Sequence, residues 1–546
     1  MASFWEETTR EWLGWGEVFA LCQPVSKAGL RYKREVQPYL PAERTAWQEA
    51  MSDWQALQKV LCDGSFAKAI GDALREVPDA AALLGLLEQG ASLRQVDFYE
   101  IKSLLWQGRQ VERLLQEHGL RYAWWVSPDW ETLLRLLNPP GELVPTFSLA
   151  EHPDHVLTRL RGELAQIESR LFRRKQEQVD ALRARYGRVP NRSGELIWEK
   201  TERGRIAKAQ EDPALALRQE NVFEAVFAVV EPPELQGWRQ EQEELRTAVE
   251  DREVLILQEL VRKLKPHAQT LQAVLTALAR LDWTLAKAVL ARKWQGDVDA
   301  QVIEWLDSDD APWQVTSGWH PTARASVEKR GGTFTPLDLT LHPGVGLITG
   351  PNMGGKTVAL KTFALLQALA QHAMPVPAQR FFFHPVERIG SSGGDEQSLE
   401  SGLSSFGAEM YRLADLLATQ GRALLLLDEV ARTTNPQEGE ALAYGLAKHL
   451  LTTKHTALLA SHFPGVARVQ GLQTYRVAGL RREVLAELER RADIREVLSQ
   501  LHRAMDYRLM PCVAGDVPRD ALRLAQSFGL PEGLLRAAAD ANARQE

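Results

Sequence analysis

Eight consecutive residues in the second half of the chain have the types and spacing of a phosphate-binding loop. Gly350-Pro-Asn-Met-Gly-Gly-Lys-Thr357 fits the pattern G-x-x-x-x-G-K-[ST], between an apolar run and a helical pattern. Glycines let backbone N–H groups curl around phosphates, and the helix start favours negative charge. In this pattern Lys356 reaches the β- and γ-phosphates and Thr357 ligates Mg²⁺. We therefore predict an ATP and Mg²⁺ site lined by Gly350, Pro351, Asn352, Met353, Gly354, Gly355, Lys356 and Thr357.

Polar residues follow two further apolar runs. Leu424-Leu-Leu-Leu-Asp-Glu429 ends in two carboxylates, at the strand edge where α/β sheets bind ligands. We predict that Asp428 holds the Mg²⁺ shell and that Glu429 orients or deprotonates the attacking water. Ser461-His462 follows the run 456–460, and we predict that His462 contacts the γ-phosphate. Lys356, Glu429 and His462 are thus the predicted catalytic residues of an ATPase.

The elements that must position these residues change in character near residue 311. Beyond it, short apolar runs alternate with helical patterns, which is typical of a mostly parallel sheet covered by helices. Residues 1 to about 300 are mainly helical. Apolar residues from Leu157 to Leu171 repeat in steps of three and four, as on a long helix, and Pro266 predicts a break. Residues 222–230 predict a strand, so two long helices flank a partly β tip. From about residue 485 we predict helix to the end.

Composition bounds the class of protein. The 546 residues are too many for one core, and 45% hydrophobic with 25% charged residues is ordinary for a globular protein. The net charge of −7 gives no global attraction to nucleic acid. The three cysteines are too scattered for a disulfide framework or a zinc site. No signal peptide and no apolar run of about 20 residues is visible, so we expect a cytoplasmic protein without membrane contact.

Several motifs together resemble the MutS family of ABC-type ATPases. The loop 349–357 has that family's own form, and Ser401-Gly-Leu-Ser-Ser-Phe406 resembles its signature loop. Pro436-Gln-Glu-Gly439 resembles the branch that lacks the mismatch-recognition domain. Asp506-Tyr-Arg-Leu509 and Gly529-Leu-Pro-Glu532 resemble the closing helical segment. One departure stands out: Val430-Ala-Arg-Thr-Thr-Asn435 replaces the usual glycine-rich turn after Glu429.

The resemblance implies a fold and a dimer. The implied fold is an α/β P-loop ABC-type ATPase domain with a mostly parallel sheet, preceded by an all-α core, lever and clamp region. The implied domains are a helical core (1–150), lever helices with a clamp-like tip (151–300), the ATPase domain (301–485) and a helical dimerisation segment (486–546). Ser401 and Gly402 of one subunit would cap the nucleotide held by the other. Phe334 is expected either to stack on adenine or to pack in the core.

Two functions from different classes stay open at this point. Residues 170–208 contain twelve Lys or Arg against five Asp or Glu, a local net charge of +7 that a DNA backbone would favour. The first hypothesis is therefore a homodimeric, ATP-gated clamp on mismatched or branched double-stranded DNA, in repair or recombination. The alternative is an ATP-driven factor that remodels a client enzyme, such as the MutS-like ATPase of lysine aminomutase reactivation. Intact catalytic residues argue against a third, purely architectural role.

Overall fold

The computed structural model describes residues 3–138, 142–295, 301–351, 355–393, 405–481, 483–484, 505–512, 525 and 530–545. They form a mixed α/β protein, as the sequence predicted. The chain divides into two compact units. Unit 1 comprises Met1–Arg75, Leu114–Trp124 and Leu278–Glu546, and unit 2 comprises Glu76–Arg113 and Trp125–Ala277. The division into four domains stays a prediction. No helix among the described residues is long and apolar enough to cross a membrane.

Helices dominate the first 300 residues, as predicted. They are α1 (Glu7–Trp12), α2 (Trp15–Ala20), α3 (Lys27–Glu35), α4 (Arg44–Val60), α5 (Gly64–Arg75), α6 (Ala81–Gln89), α7 (Gln95–Glu117), α8 (Trp130–Leu136), α9 (His155–Tyr186), α10 (Arg203–Gln210), α11 (Pro233–Leu264) and α12 (Ala268–Gln295). The later helices are α13 (Pro321–Lys329), α14 (Lys356–Gln371), α15 (Ser405–Leu417), α16 (Pro436–Leu450) and α17 (Glu532–Gln545). The predicted break at Pro266 is confirmed, because α11 ends before it and α12 begins after it.

The strands form three sheets. They are β1 (Glu195–Glu199), β2 (Leu215–Glu220), β3 (Glu224–Val229), β4 (Val302–Trp305), β5 (Trp313–Gly318), β6 (Leu337–Leu341), β7 (Val345–Thr349), β8 (Arg380–Phe383), β9 (Arg388–Ser391), β10 (Ala423–Asp428), β11 (Thr456–Ala460), β12 (Gln473–Leu480) and β13 (Met505–Pro511). The strand orders are β1-β3-β2, β4-β8-β5-β6 and β13-β12-β7-β11-β10-β9. The sequence predicted β3, β7, β10 and β11, whereas the four-stranded sheet was not foreseen.

The six-stranded sheet of unit 1 carries the predicted site. Its strands β12, β7, β11, β10 and β9 are parallel, and β13 runs antiparallel to β12. Strands β7 and β11 are buried along their whole length, which explains why their sequences are continuous apolar runs. Helices α15 and α16 cover one face, with Leu413, Leu416 and Ala447 in the same core as Leu425 and Leu427. The parallel order brings the residues that follow β7, β10 and β11 to one edge.

The prediction of helix from residue 485 to the end is wrong at β13. Residues 505–511 pair with β12 in the sheet, and Asp506-Tyr-Arg-Leu509 therefore belongs to a strand rather than to a closing helical segment. Charged Asp506 and Arg508 alternate with Met505, Tyr507 and Leu509, and such alternation is the period of a strand. The helical prediction holds within the described residues at α17.

The edge of this sheet at β9 is covered by the N-terminal segment. The Ile389 N–H donates to the Phe4 carbonyl oxygen at 2.8 Å, and the Ser391 N–H donates to Thr9 Oγ1 at 3.2 Å. Bonds of this kind satisfy donors that an edge strand would otherwise expose. The Trp12 ring fills the space beside Gly393, where a Cβ would lie 2.3 Å from the indole nitrogen. The N-terminal residues thus fix the chain at the end of β9, beside Ser392.

Unit 2 contains the predicted long helices and the β tip. Helices α9 and α11 are joined by Arg252–Asp154 and Arg246–Glu168 ion pairs, of 2.6 Å and 3.1 Å. The antiparallel sheet β1-β3-β2 and α10 enclose a small core around the fully buried Trp198. The predicted strand 222–230 is shorter than expected, because its first two residues form the exposed turn before β3.

Candidate active site

The phosphate loop joins β7 to α14, and the two glycines of it that the structure describes both have positive φ. Gly350 has φ = +149°, and Gly355 has φ = +82° at the N-cap of α14. A Cβ on Gly350 would lie 3.0 Å from the Val477 Cβ, and one on Gly355 would lie 3.1 Å from Cδ1 of Tyr507. Backbone conformation and space therefore both favour glycine at these positions. Three predicted ligands of the loop lie outside the described residues: Asn352, Met353 and Gly354.

The ammonium group of Lys356 lies against the first two residues of the loop, Gly350 and Pro351. Its side chain is 4% exposed, and Nζ donates to the carbonyl oxygens of Gly350 (3.0 Å) and Pro351 (3.3 Å). Nζ also lies 3.6 Å from Oε1 of Glu429. A buried cation is tolerated only with such acceptors nearby. The arrangement holds a positive charge where the sequence pattern places the terminal phosphates.

Thr357 and Asp428 meet across α14 and β10. Thr357 Oγ1 donates to Asp428 Oδ2 at 2.6 Å, and the Asp428 N–H donates to Ser392 Oγ at 2.9 Å. Burial raises the pKa of Asp428 above its ordinary value, although the Thr357 hydroxyl opposes the shift. Asp428 Oδ1 is buried without a hydrogen-bond partner among the described residues. A hydroxyl and a half-buried carboxylate with one unpaired oxygen are oxygen ligands of the kind that Mg²⁺ prefers, so these residues fit the predicted ion.

Glu429 stands on a strained backbone directly after β10. Its φ is +48°, an uncommon value for a residue with a side chain, and its N–H donates to the Ala460 carbonyl oxygen of β11 at 2.9 Å. The Glu429 carboxylate lies beside Lys356 and accepts a hydrogen bond from Arg432 Nη1 at 3.3 Å. Strain of this kind is concentrated at functional sites. The sheet thus aims Glu429 at the phosphate loop rather than along the strand.

The turn after Glu429 contains a second residue with positive φ, Ala431 (+61°). The sequence has Ala431 here in place of the usual glycine-rich turn, so the chain keeps the left-handed conformation without the glycine. The Ala431 N–H donates to Oε1 of Glu409 at 3.2 Å, and burial raises the pKa of the Glu409 carboxyl. Gly439 of α16 packs on this turn, and a Cβ there would lie 2.6 Å from the Ala431 carbonyl oxygen.

The structure brings four predicted residues together: Lys356, Thr357, Asp428 and Glu429. His462 follows β11 at the same edge, but it is exposed, its ring lies against Phe463 (centroids 4.4 Å apart), and no hydrogen bond joins it to those four within the described chain. Phe334 is half-buried before β6. Two predicted residues, Ser401 and Gly402, lie outside the described residues.

Sequence reasoning missed three residues of this site. Ser392 accepts a hydrogen bond from the Asp428 backbone, Tyr507 covers Gly355, and Arg432 donates to Glu429. The alternation of charged and uncharged residues around Tyr507 is the sequence signal that could have predicted its strand. Nothing local in the sequence marks Ser392, because its role depends on β9 lying beside β10.

Comparison with known proteins agrees with the motifs. Residues 346–538 match the family model of MutS domain V. Two similar proteins are the Endonuclease MutS2 of Streptococcus pneumoniae strain Hungary19A-6 and that of serotype 2 strain D39, each 27% identical over 486 residues. The alignment covers 85% of this chain and 58% of each relative, so the chain spans less than two thirds of the curated relatives it matches.

Fold and site together define a mixed α/β protein with a phosphate-loop site at one edge of its larger sheet. The matches confirm the resemblance found in the motifs: residues 346–538 match MutS domain V, and 85% of the chain aligns with the MutS2 relatives. The branch without a mismatch-recognition domain, indicated by residues 436–439, fits these relatives.

We predict that Gly439→Ala disturbs the turn after Glu429. The added methyl group cannot fit 2.6 Å from the Ala431 carbonyl oxygen, so we expect a loss of about 1–3 kcal/mol in the free energy of unfolding. Gly445→Ala in the same helix is the control, because nothing lies within 4 Å of its Cβ position. This control should gain up to about 1 kcal/mol from helix propensity. Equal effects of both changes in urea denaturation would contradict the contact.

We predict that Asp428→Asn stabilises the protein at pH 7 when EDTA is present. Because folding raises the pKa of this carboxyl, the folded protein loses stability as the pH rises from the ordinary pKa of 3.8 through the raised pKa. Asparagine does not ionise and so removes that cost. The gain should shrink as the pH falls toward 3.8.

The contrasting variant for this experiment is Asp154→Asn. A hydrogen bond from Arg252 lowers the pKa of Asp154 to about 2, so its charge stabilises the folded state above pH 3.8 and the benefit is lost as the pH falls toward 2. Asp154→Asn should therefore destabilise at pH 7. If the Asp428→Asn protein is less stable than wild type at every pH, the raised pKa assigned to Asp428 is contradicted.

Proposed function

We propose that the chain binds ATP and Mg²⁺ and hydrolyses the γ-phosphate bond through an ABC-type ATPase domain. The observation that carries the proposal is the convergence of the Lys356 ammonium, the Thr357–Asp428 pair and the Glu429 carboxylate at one sheet edge. Family members of this class are ATPases, and domain V includes all four residues. A cation, an oxygen-rich metal site and a carboxylate are the parts that phosphoryl transfer to water requires.

Each residue has a distinct task in this proposal. Lys356 exchanges the loop carbonyls for oxygens of the β- and γ-phosphates, and its burial strengthens that attraction. Thr357 and Asp428 hold the metal ion through their oxygens. Bound Mg²⁺ would neutralise charge on the phosphate oxygens. Glu429 orients the attacking water and accepts its proton, and its strained backbone keeps the carboxylate pointed at the loop. His462 contacts the γ-phosphate only after its side chain turns from Phe463.

The working unit that we propose is a homodimer. In this family the signature loop of one subunit completes the site of the other, so Ser401 and Gly402 would donate to the γ-phosphate in trans. Residues 486–546 would contribute to the dimer contact, with Phe334 beside the adenine. Nucleotide binding would close the pair and hydrolysis would reopen it. The cytoplasmic location also stays a prediction.

A DNA-binding role is favoured by the exposed basic residues of unit 2. About half of the basic residues in 170–208 are engaged within the protein, for example Arg185 with Asp212 and Arg205 with Glu202. Within the described chain, the following exposed residues make no ion pair or side-chain hydrogen bond: Arg173, Lys175, Arg183, Arg192, Arg203 and Lys208. Their charges are available for phosphates, so we propose that this surface contacts double-stranded DNA.

A clamp on mismatched or branched DNA remains our leading proposal for the whole protein. The alternative was a factor that reactivates a client enzyme such as a lysine aminomutase. The comparisons do not favour it, since the relatives carry the name Endonuclease MutS2. ATPase activity that DNA does not stimulate, together with no DNA binding at low salt, would favour that alternative.

We predict that Lys356→Ala weakens ATP binding at least about tenfold, because a charge-assisted bond is lost inside a buried loop. Glu429→Gln should still bind ATP but hydrolyse it about 10²–10⁴ times more slowly, since the proton acceptor is gone. Phosphate release and equilibrium nucleotide binding measure the two effects. The control is Glu438→Gln, an exposed carboxylate at the start of α16, which should behave as wild type. Wild-type turnover by either site variant would overturn the assignment.

We predict that duplex DNA binding depends steeply on salt and on the free basic residues. The slope of log affinity against log salt is negative, and each phosphate contact contributes about one to its magnitude. Changing Arg173, Lys175 and Arg183 to alanine should therefore reduce that magnitude by about 2–3. Arg75→Ala, an exposed arginine of unit 1 paired with Asp72, serves as the control. An unchanged slope in the triple variant would exclude this surface, whereas ATPase activity without any DNA binding would leave the nucleotide site standing.

A further inference from the structure

Unit 1 contains a cavity of about 340 Å³, and none of the residues of the phosphate site lines it. Its inner wall includes Trp283, Lys287 and His372, which are all buried, whereas Glu35 and Glu43 stand exposed at its rim. The volume lies in the range of small-molecule sites. Asp53 and Arg280 line the cavity as an ion pair, so Lys287 is the cation of the inner wall without a paired carboxylate, and the mouth is acidic.

One face of α12 supplies most of the interior. Arg280, Trp283, Thr284 and Lys287 follow one another at steps of three, one and three residues, which places them on the same side of a helix. Arg280 is already engaged, because its guanidinium lies 3.4 Å from Asp53 and over the Trp124 ring at 4.4 Å. Lys287 lies 5.8 Å from the Trp283 ring centroid but makes no ion pair within the described chain, so it is the inner cation that is left for a ligand.

Lys287 has more donors than the protein uses. Its side chain is 4% exposed, and its one hydrogen bond within the described chain runs from Nζ to the Ala373 carbonyl oxygen at 3.2 Å. An ammonium group has three donors, and buried donors are normally all satisfied. Burial lowers the pKa of Lys287 to about 8, so the group is still mainly charged at pH 7.

The neighbouring acceptors of the α14 end are taken by other groups. The Gln371 carbonyl oxygen accepts from the Tyr39 N–H, and the Ala370 carbonyl oxygen accepts from Trp47 Nε1, both at 2.6 Å. These bonds satisfy carbonyls that a helix end leaves free. At this helix end Lys287 bonds only to the Ala373 carbonyl oxygen within the described chain, so its remaining donors can serve a ligand in the cavity.

Two phenols add further donors to the cavity. The hydroxyls of Tyr32 and Tyr39 line it and make no hydrogen bond within the part of the chain that the structure describes. Burial raises the pKa of each, so both stay protonated and able to donate. The two tyrosine hydroxyls and the remaining donors of Lys287 therefore have no hydrogen-bond partner within the described chain, and the Asp53 carboxylate in the same lining is paired with Arg280.

We propose that this cavity binds a small organic acid with a flat ring, with the carboxylate held by Lys287 and the tyrosine hydroxyls. The Trp283 indole provides an apolar wall for the ring. The exposed Glu35 and Glu43 at the rim disfavour a dianion, so a monocarboxylate fits better than a phosphate monoester. This proposal is independent of nucleotide hydrolysis.

The test measures binding of three related probes by isothermal titration calorimetry at pH 7. Benzoate carries the carboxylate, phenyl phosphate carries a dianion on the same ring, and benzamide is the neutral analogue. We expect saturable binding of benzoate that is at least about tenfold tighter than that of benzamide, since a charge-assisted bond is involved. Tighter binding of phenyl phosphate than of benzoate would overturn the carboxylate assignment.

Two variants localise the probe. Lys287→Met should weaken benzoate at least about tenfold, whereas Lys293→Met, the same change at an exposed position of α12, should leave it unaltered. Tyr39→Phe keeps the ring, removes one hydroxyl and should weaken benzoate several-fold, which preserves the test should Lys287→Met fail to fold. Absent benzoate binding by the wild type, or full affinity in Lys287→Met and Tyr39→Phe, would contradict the proposal.

Discussion

The hydrogen bond between Thr357 and Asp428 is the contact on which the candidate site depends. It ties the first turn of α14 to the end of β10, and β10 in turn carries Glu429 toward Lys356. The contact exists because β7, β11 and β10 are parallel neighbours, so that their carboxyl ends share an edge. Ser392 secures the Asp428 backbone from the other side, and the N-terminal segment secures the end of β9.

The site combines stability with strain. The sheet core is apolar and fully buried, yet the residues at its edge include a half-buried carboxylate with a raised pKa and two non-glycine residues with positive φ. Each of these features costs free energy in the absence of ligand, of the order of 1–3 kcal/mol for a strained residue. Such costs in free energy are expected at a site where the binding of a ligand offsets them. The charge of Lys356 and the free oxygen of Asp428 are the features that the proposed binding of phosphate and metal would use.

Sequence alone predicted the residues that chemistry constrains most. Gly350, Lys356, Thr357, Asp428 and Glu429 can be predicted because their types and spacing fit phosphate binding and their strands are continuous apolar runs. The structure brings them together, and their roles stay predictions. Ser392, Tyr507 and Arg432 could not be found in the same way, since each acts through a pairing of distant segments. The sequence predicts helix across β13 because the surrounding residues have a helical pattern and the alternation at 505–509 is short. Only the pairing with β12 makes that alternation decisive.

The affinity for ADP with and without Mg²⁺ tests the central contact most directly. We expect Mg²⁺ to tighten ADP binding by the wild-type protein at least about tenfold relative to EDTA, or about 1.4 kcal/mol. Thr357→Val keeps the shape of the side chain but removes one of the two proposed oxygen ligands, so Mg²⁺ should tighten its ADP binding several-fold less than that of the wild type. A wild-type affinity that is the same in EDTA, or a valine variant that retains the full Mg²⁺ effect, would contradict the account.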